Sequence, residues 1–72
     1  MRINMRSDMA ATVLRIEAAI GDTVGEEDTL LVLEAMKMEL PFVATAAGVI
    51  AEIHVREGDV VEEDQLLLTL EA

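Results

Sequence analysis

Gly21-Asp22-Thr23-Val24-Gly25-Glu26-Glu27-Asp28-Thr29-Leu30-Leu31-Val32-Leu33-Glu34-Ala35 returns 37 residues later as Gly58-Asp59-Val60-Val61-Glu62-Glu63-Asp64-Gln65-Leu66-Leu67-Leu68-Thr69-Leu70-Glu71-Ala72, with no gap and nine of fifteen positions identical. The same shift pairs Val13 with Ile50, Ile16 with Ile53 and Ala18 with Val55, so the repeat covers at least residues 11–35 and 48–72. A period of this kind marks a unit that cannot bury its apolar face alone. Two such units imply a quasi-twofold fold in which the halves pack face to face.

Within each half the pattern is that of strands. Residues 11–18 and 48–55 mix β-branched and aliphatic residues with polar ones, and each segment ends near a Gly-Asp turn, Gly21-Asp22 or Gly58-Asp59. The Asp side chain is expected to bond to backbone just beyond the turn. Short segments around Val24 and Val61, acidic turns at 26–28 and 62–64, and long strands from residues 29 and 66 follow. Nothing reads as helix. The apolar positions 13, 16 and 18, like 30, 31 and 33, break strict alternation, which predicts bulges. Pro41 lacks an N–H, so its nitrogen belongs at an edge or a non-bonded position. The predicted architecture is a small all-β sandwich or flattened barrel. Its core is expected to hold Val13, Ile16, Val24, Leu31, Leu33, Ile50, Ile53, Val61, Leu68 and Leu70.

The 72 residues make one domain, residues 1–72, and a domain of this size buries only about 60% of the surface its unfolded chain exposes. The 53% hydrophobic content supplies a core that is almost wholly aliphatic, since Phe42 is the sole aromatic. The absence of cysteine leaves neither a disulfide framework nor thiolate chemistry. No apolar run approaches the ~18 residues of a transmembrane helix, and the N-terminal residues lack a signal-peptide core. The expectation is a soluble, cytoplasmic chain without a membrane partner. A formal charge of −10 repels nucleic acid, favours solubility and is expected to keep the domain monomeric.

Between the two copies lies Glu34-Ala35-Met36-Lys37-Met38-Glu39, which holds the only lysine. Strand-like runs enter and leave it, so Met36 and Lys37 read as a two-residue hairpin tip. Such tips favour positive φ and usually Gly or Asn. A strained non-Gly pair here suggests a tip kept for recognition.

This hexamer resembles the attachment motif of biotinyl domains, the biotin carboxyl carrier family, in which the lysine between two methionines carries biotin in amide linkage. The resemblance runs from about residue 9 to the end. It implies two four-stranded antiparallel sheets related by a quasi-dyad, with the modified lysine on the hairpin between halves. Ala11, Glu27 and Asp64 stand where the family usually has Gly. Some members carry a thumb inserted in one half; the gapless repeat leaves no room for one, so this domain resembles the thumbless type. No Pro- or Ala-rich linker precedes the pattern, as in a carrier subunit or an excised domain.

The resemblance further implies that a biotin protein ligase modifies Lys37, that Met36 and Met38 frame the site, and that Glu34 and Ala35 contribute to ligase recognition. A biotin carboxylase and a carboxyltransferase acting on an acyl-CoA or keto acid would then be the partners. Catalysis by the chain itself is not expected: it has one histidine, His54, one serine, Ser7, and no base and nucleophile at a suggestive spacing. His54 matches Glu17 in the other half and reads as an exposed strand residue. The acidic turns lack the central Gly and alternating oxygen ligands of a calcium loop, so no metal site is expected. Two alternatives share the fold: a lipoyl carrier, which usually shows Asp-Lys-Ala at the tip, and an unmodified structural hairpin domain, which usually lacks the lysine.

Overall fold

In a computed structural model describing all 72 residues, the chain forms eight strands and no helix. They are β1 (Arg2–Arg6), β2 (Ala11–Ile16), β3 (Thr23–Val24), β4 (Thr29–Ala35), β5 (Met38–Val43), β6 (Gly48–Ile53), β7 (Val60–Val61) and β8 (Leu66–Glu71). They build two four-stranded antiparallel sheets, ordered β1-β8-β6-β3 and β5-β4-β2-β7. The repeat accounts for this order. Shifting by 37 residues carries β2 onto β6, β3 onto β7 and β4 onto β8, and the mate of β1 is β5. Each sheet therefore takes two strands from each half. The two-residue strands β3 and β7 cross over and pair with β6 and β2 of the opposite half.

The N-terminal strand is the main addition to the sequence reading. Arg2-Ile3-Asn4-Met5-Arg6 pairs along β8 through Ile3↔Leu70 and Met5↔Leu68, as β5 pairs along β4 through Leu40↔Leu33 and Phe42↔Leu31. Met5 is buried where Phe42 is half-buried.

The core holds seven of the ten expected residues: Val13, Leu31, Leu33, Ile50, Val61, Leu68 and Leu70. Ile16, Val24 and Ile53 are only half-buried and pack against it. Leu30 and Leu67, outside the expected set, are fully buried. The reason is register. Bulges set Leu30 between Thr29 and Leu31 and Leu67 between Leu66 and Leu68, with others between Val13 and Arg15 and between Ile50 and Glu52, and each extra residue resets which side chain faces inward.

The turns repeat across the quasi-dyad in atomic detail. Gly21 and Gly58 have φ of 95° and 94°, values an L side chain rarely adopts. Contrary to expectation, the neighbouring carboxylates reach backward. Asp22 Oδ2 accepts from the Ala19 N–H at 2.9 Å, and Asp59 Oδ2 accepts from the Arg56 N–H at 2.9 Å. The acidic turns place Glu27 at φ 73° and Asp64 at φ 71°, so these two residues occupy a left-handed conformation where glycine is the easier choice. The connections between β2 and β3 and between β6 and β7 are equal in length, so neither half carries an insertion.

This topology separates the ends of the molecule. In one sheet, β4 and β5 meet at the Met36-Lys37 tip, while Val43 and Ile16 lie at the far end. From that far end the chain crosses to Thr23, Val24 and Gly48, which pair beside Glu71 and Arg2. There the Met1 and Ala72 backbones bond to each other, Ala72 N–H donating to the Met1 carbonyl at 2.8 Å. The lysine tip and the chain termini thus occupy opposite ends of a body whose longest dimension is 32 Å.

Candidate modification site at the β4–β5 hairpin

The sequence leading into the tip, Leu30 to Leu33, is buried in every position, so β4 is clamped along its length. Its partner β5 follows it in register, Leu33↔Leu40, Glu34↔Glu39 and Ala35↔Met38. Counting the alternation of an antiparallel ladder back from the pair that closes a two-residue tip puts Val32↔Pro41 in the non-bonded class. Pro41 therefore removes no ladder bond, as expected. Only Met36 and Lys37 remain outside the strands, with φ of 54° and 63°. Both are left-handed, at a cost of about 1–2 kcal/mol each. The packed ladder behind them holds that strain.

The side chains at the tip face solvent. Met36 is 92% exposed and Met38 56% exposed. None of the ion pairs of the molecule involves Lys37, so no protein group occupies its amine. Glu34 is exposed and Ala35 half-buried, both at the end of β4. All five residues of the expected site, Glu34, Ala35, Met36, Lys37 and Met38, thus come together on one hairpin. The hairpin presents an unpaired primary amine between two exposed thioethers, with the Glu34 carboxylate on the strand that leads into it.

Register adds one residue that spacing did not reveal. Glu34 and Glu39 lie directly opposite each other, a like-charge pair that destabilises a ladder. Arg15, one bulge away on β2, bonds to Glu17 Oε2 at 3.0 Å and Glu39 Oε1 at 3.4 Å. The bond to Glu17 is the main reason its guanidinium titrates above the ordinary arginine value, with Glu39 adding to it. Arg15 thereby engages Glu39, whereas Glu34 takes part in no ion pair. Arg15 and Glu39 are 24 positions apart in the chain, and only the β2–β4–β5 register joins them.

His54 lies outside this site and, contrary to expectation, outside β6, just past its end at Ile53. Its Nε2 meets Glu52 Oε1 at 3.1 Å, on the sheet opposite the hairpin.

Comparisons with known proteins agree with this geometry. A family described as biotin-requiring enzyme matches residues 3–70. The biotinylated protein TB7.3 homolog of Mycobacterium leprae is 36% identical over 70 residues, covering 97% of this chain and 99% of that protein. The biotin carboxyl carrier protein of Streptococcus mutans is 42% identical over 66 residues, which are 92% of this chain and about half, 51%, of that protein. In the crystal structure of Kluyveromyces lactis urea carboxylase, 99% of this chain superposes on 6% of the enzyme with a TM-score of 0.93 at 30% identity.

Proposed function

Since this chain belongs to the family of biotin-requiring enzymes and is a biotinyl domain, we propose that it is a carboxyl carrier whose Lys37 accepts biotin from a biotin protein ligase. The observation that carries the reading is the Met36-Lys37 tip, where two non-Gly residues are held at φ 54° and 63° with the amine unpaired. Strain kept at an exposed turn, on a lysine with no structural bond to make, supports a recognition role.

The donor chemistry of the tip fits an amide-linked group. A lysine amine attacks only as the free base, so the Nζ loses a proton before it displaces the adenylate from activated biotin. Lys37 would hold biotin through its Nζ, and biotin bound there would supply a ureido nitrogen as the site of carboxylation. The rest is the work of the chain. The hairpin gives one fixed point of attachment, the buried β4 keeps it from yielding, and the exposed Met36 and Met38 offer apolar contact to each enzyme that receives the lysine. A biotin carboxylase and a carboxyltransferase acting on an acyl-CoA or a keto acid are the two stations. Tethering raises the effective concentration of the group at each to the millimolar range without a new contact.

Intact-mass analysis after incubation with biotin protein ligase, ATP and biotin tests the reading. One biotin per chain is expected, mapped to Lys37. Lys37→Arg keeps the charge, lacks the nucleophile, and should fold normally and take up none. A lipoyl ligase that loads the chain while the biotin ligase does not would reassign the domain to lipoyl carriage.

A further inference from the structure

Resting on Lys37 as the acceptor, we propose that Met36 and Met38 form an oxidant-sensitive modification site that controls loading of the lysine between them. The chain contains five methionines and no cysteine, so thioethers are its only readily oxidised groups. They divide sharply by position. Met5 is 5% exposed inside the core, and Met9 is half-buried against it. Met36, Met38 and Met1 are exposed, at 92%, 56% and 80%. Two of these three flank the acceptor amine. The third lies at the opposite end of the molecule, where its backbone meets Ala72.

The tip geometry couples these sulfurs to the lysine. With φ of 54° and 63° at Met36 and Lys37, and Met38 paired with Ala35, Lys37 sits at the tip with a methionine on either side. An enzyme that takes Nζ into its active site therefore meets both thioethers at its entrance. The modifying reagent is a peroxide. The thioether sulfur attacks the peroxide, the O–O bond breaks and an S–O bond forms. Sulfur gives up two electrons, and the remaining oxygen leaves as water. A thiol-dependent methionine sulfoxide reductase reverses the step, releasing the oxygen as water while two thiols close to a disulfide. The sulfoxide replaces a soft apolar contact with a strong hydrogen-bond acceptor that an enzyme surface shaped for a thioether must desolvate. Neither Met36 nor Met38 belongs to the core, so the fold itself is left intact.

The test treats the whole chain with hydrogen peroxide and follows each methionine by peptide mass mapping. Met36 is expected to oxidise fastest among the internal methionines, ahead of Met38, with Met9 and Met5 far behind. Loading by biotin ligase should then fall roughly tenfold or more in chains oxidised at Met36 or Met38, the scale expected when a buried methionine contact is lost. Chains oxidised only at Met1 should load at the untreated rate, and methionine sulfoxide reductase should restore the loss. In a Met36→Leu, Met38→Leu variant, whatever its starting rate, peroxide should leave loading unchanged. The proposal is overturned if Met36 oxidises no faster than Met5, if oxidised chains load as fast as untreated ones, or if the Leu variant stays peroxide-sensitive. An untreated chain that takes no biotin overturns the acceptor reading itself, and the control of loading with it, whereas the order of oxidation is read without any ligase.

Discussion

Left-handed backbone occurs at four non-glycine residues, and they separate into two kinds. Glu27 and Asp64 are quasi-dyad mates in turns that never meet the lysine, so their strain has no use at the tip. Glu27→Gly and Asp64→Gly should therefore raise stability, each by up to about 1 kcal/mol in urea unfolding, with biotin loading unchanged. Met36 and Lys37 have no mates within the chain. Because their side chains face solvent, Met36→Ala and Met38→Ala should change stability by less than about 1 kcal/mol, while transfer of the carried group between enzymes suffers. A large fall in melting temperature would instead place them in the core. Gly48 shows the opposite constraint. A Cβ there would press into the Glu71 carbonyl, backbone that cannot yield cheaply. Gly48→Ala should cost about 1–3 kcal/mol, although its mate is Ala11 and tolerates the methyl. The quasi-dyad thus relates folds of backbone more strictly than it relates side chains.

Among the elements, β4 and β8 bear most of the packing, and the repeat makes their contributions comparable. Leu33 and Leu70 are mates, 3% and 0% exposed, so Leu33→Ala and Leu70→Ala should each cost roughly 2–5 kcal/mol and nearly the same amount. A clear difference between the two in chemical denaturation would count against the symmetry. These strands were legible in the sequence because nine identities over fifteen residues demand one structure twice. So was the tip, since it separates the two copies. Other features left no local signal. β1 offers only Ile3 and Met5 as apolar residues, and its strand character comes from a partner more than sixty positions away, β8. The burial of Leu30 and Leu67 hinges on bulges, whose position a broken alternation announces without locating. The tie between Arg15 and Glu39 depends on the β2–β4–β5 register, which is a product of the fold.

For the molecule as a whole, the crossed strands β3 and β7 matter most. Because each sheet is shared between the halves, neither half encloses its own apolar face, and the Lys37 hairpin rests on a sheet that includes β7 from the second half. A chain ending at Gln65 should show no cooperative unfolding transition and poor amide dispersion, even though it retains β1 to β7 and the whole Glu34-to-Glu39 hairpin. A truncated chain that melts cooperatively would argue against the interlock. The same arrangement sets an order of events during biosynthesis. Of the eight strands β1 is made before the other seven, and its sole partner, β8, is made after them. Long-range pairing of this kind folds slowly, in milliseconds to seconds. The Met36-Lys37 turn is therefore translated well before the sheets behind it close, so an enzyme that recognised the turn rather than the letters around it would meet its finished shape only after Glu71 had cleared the exit tunnel.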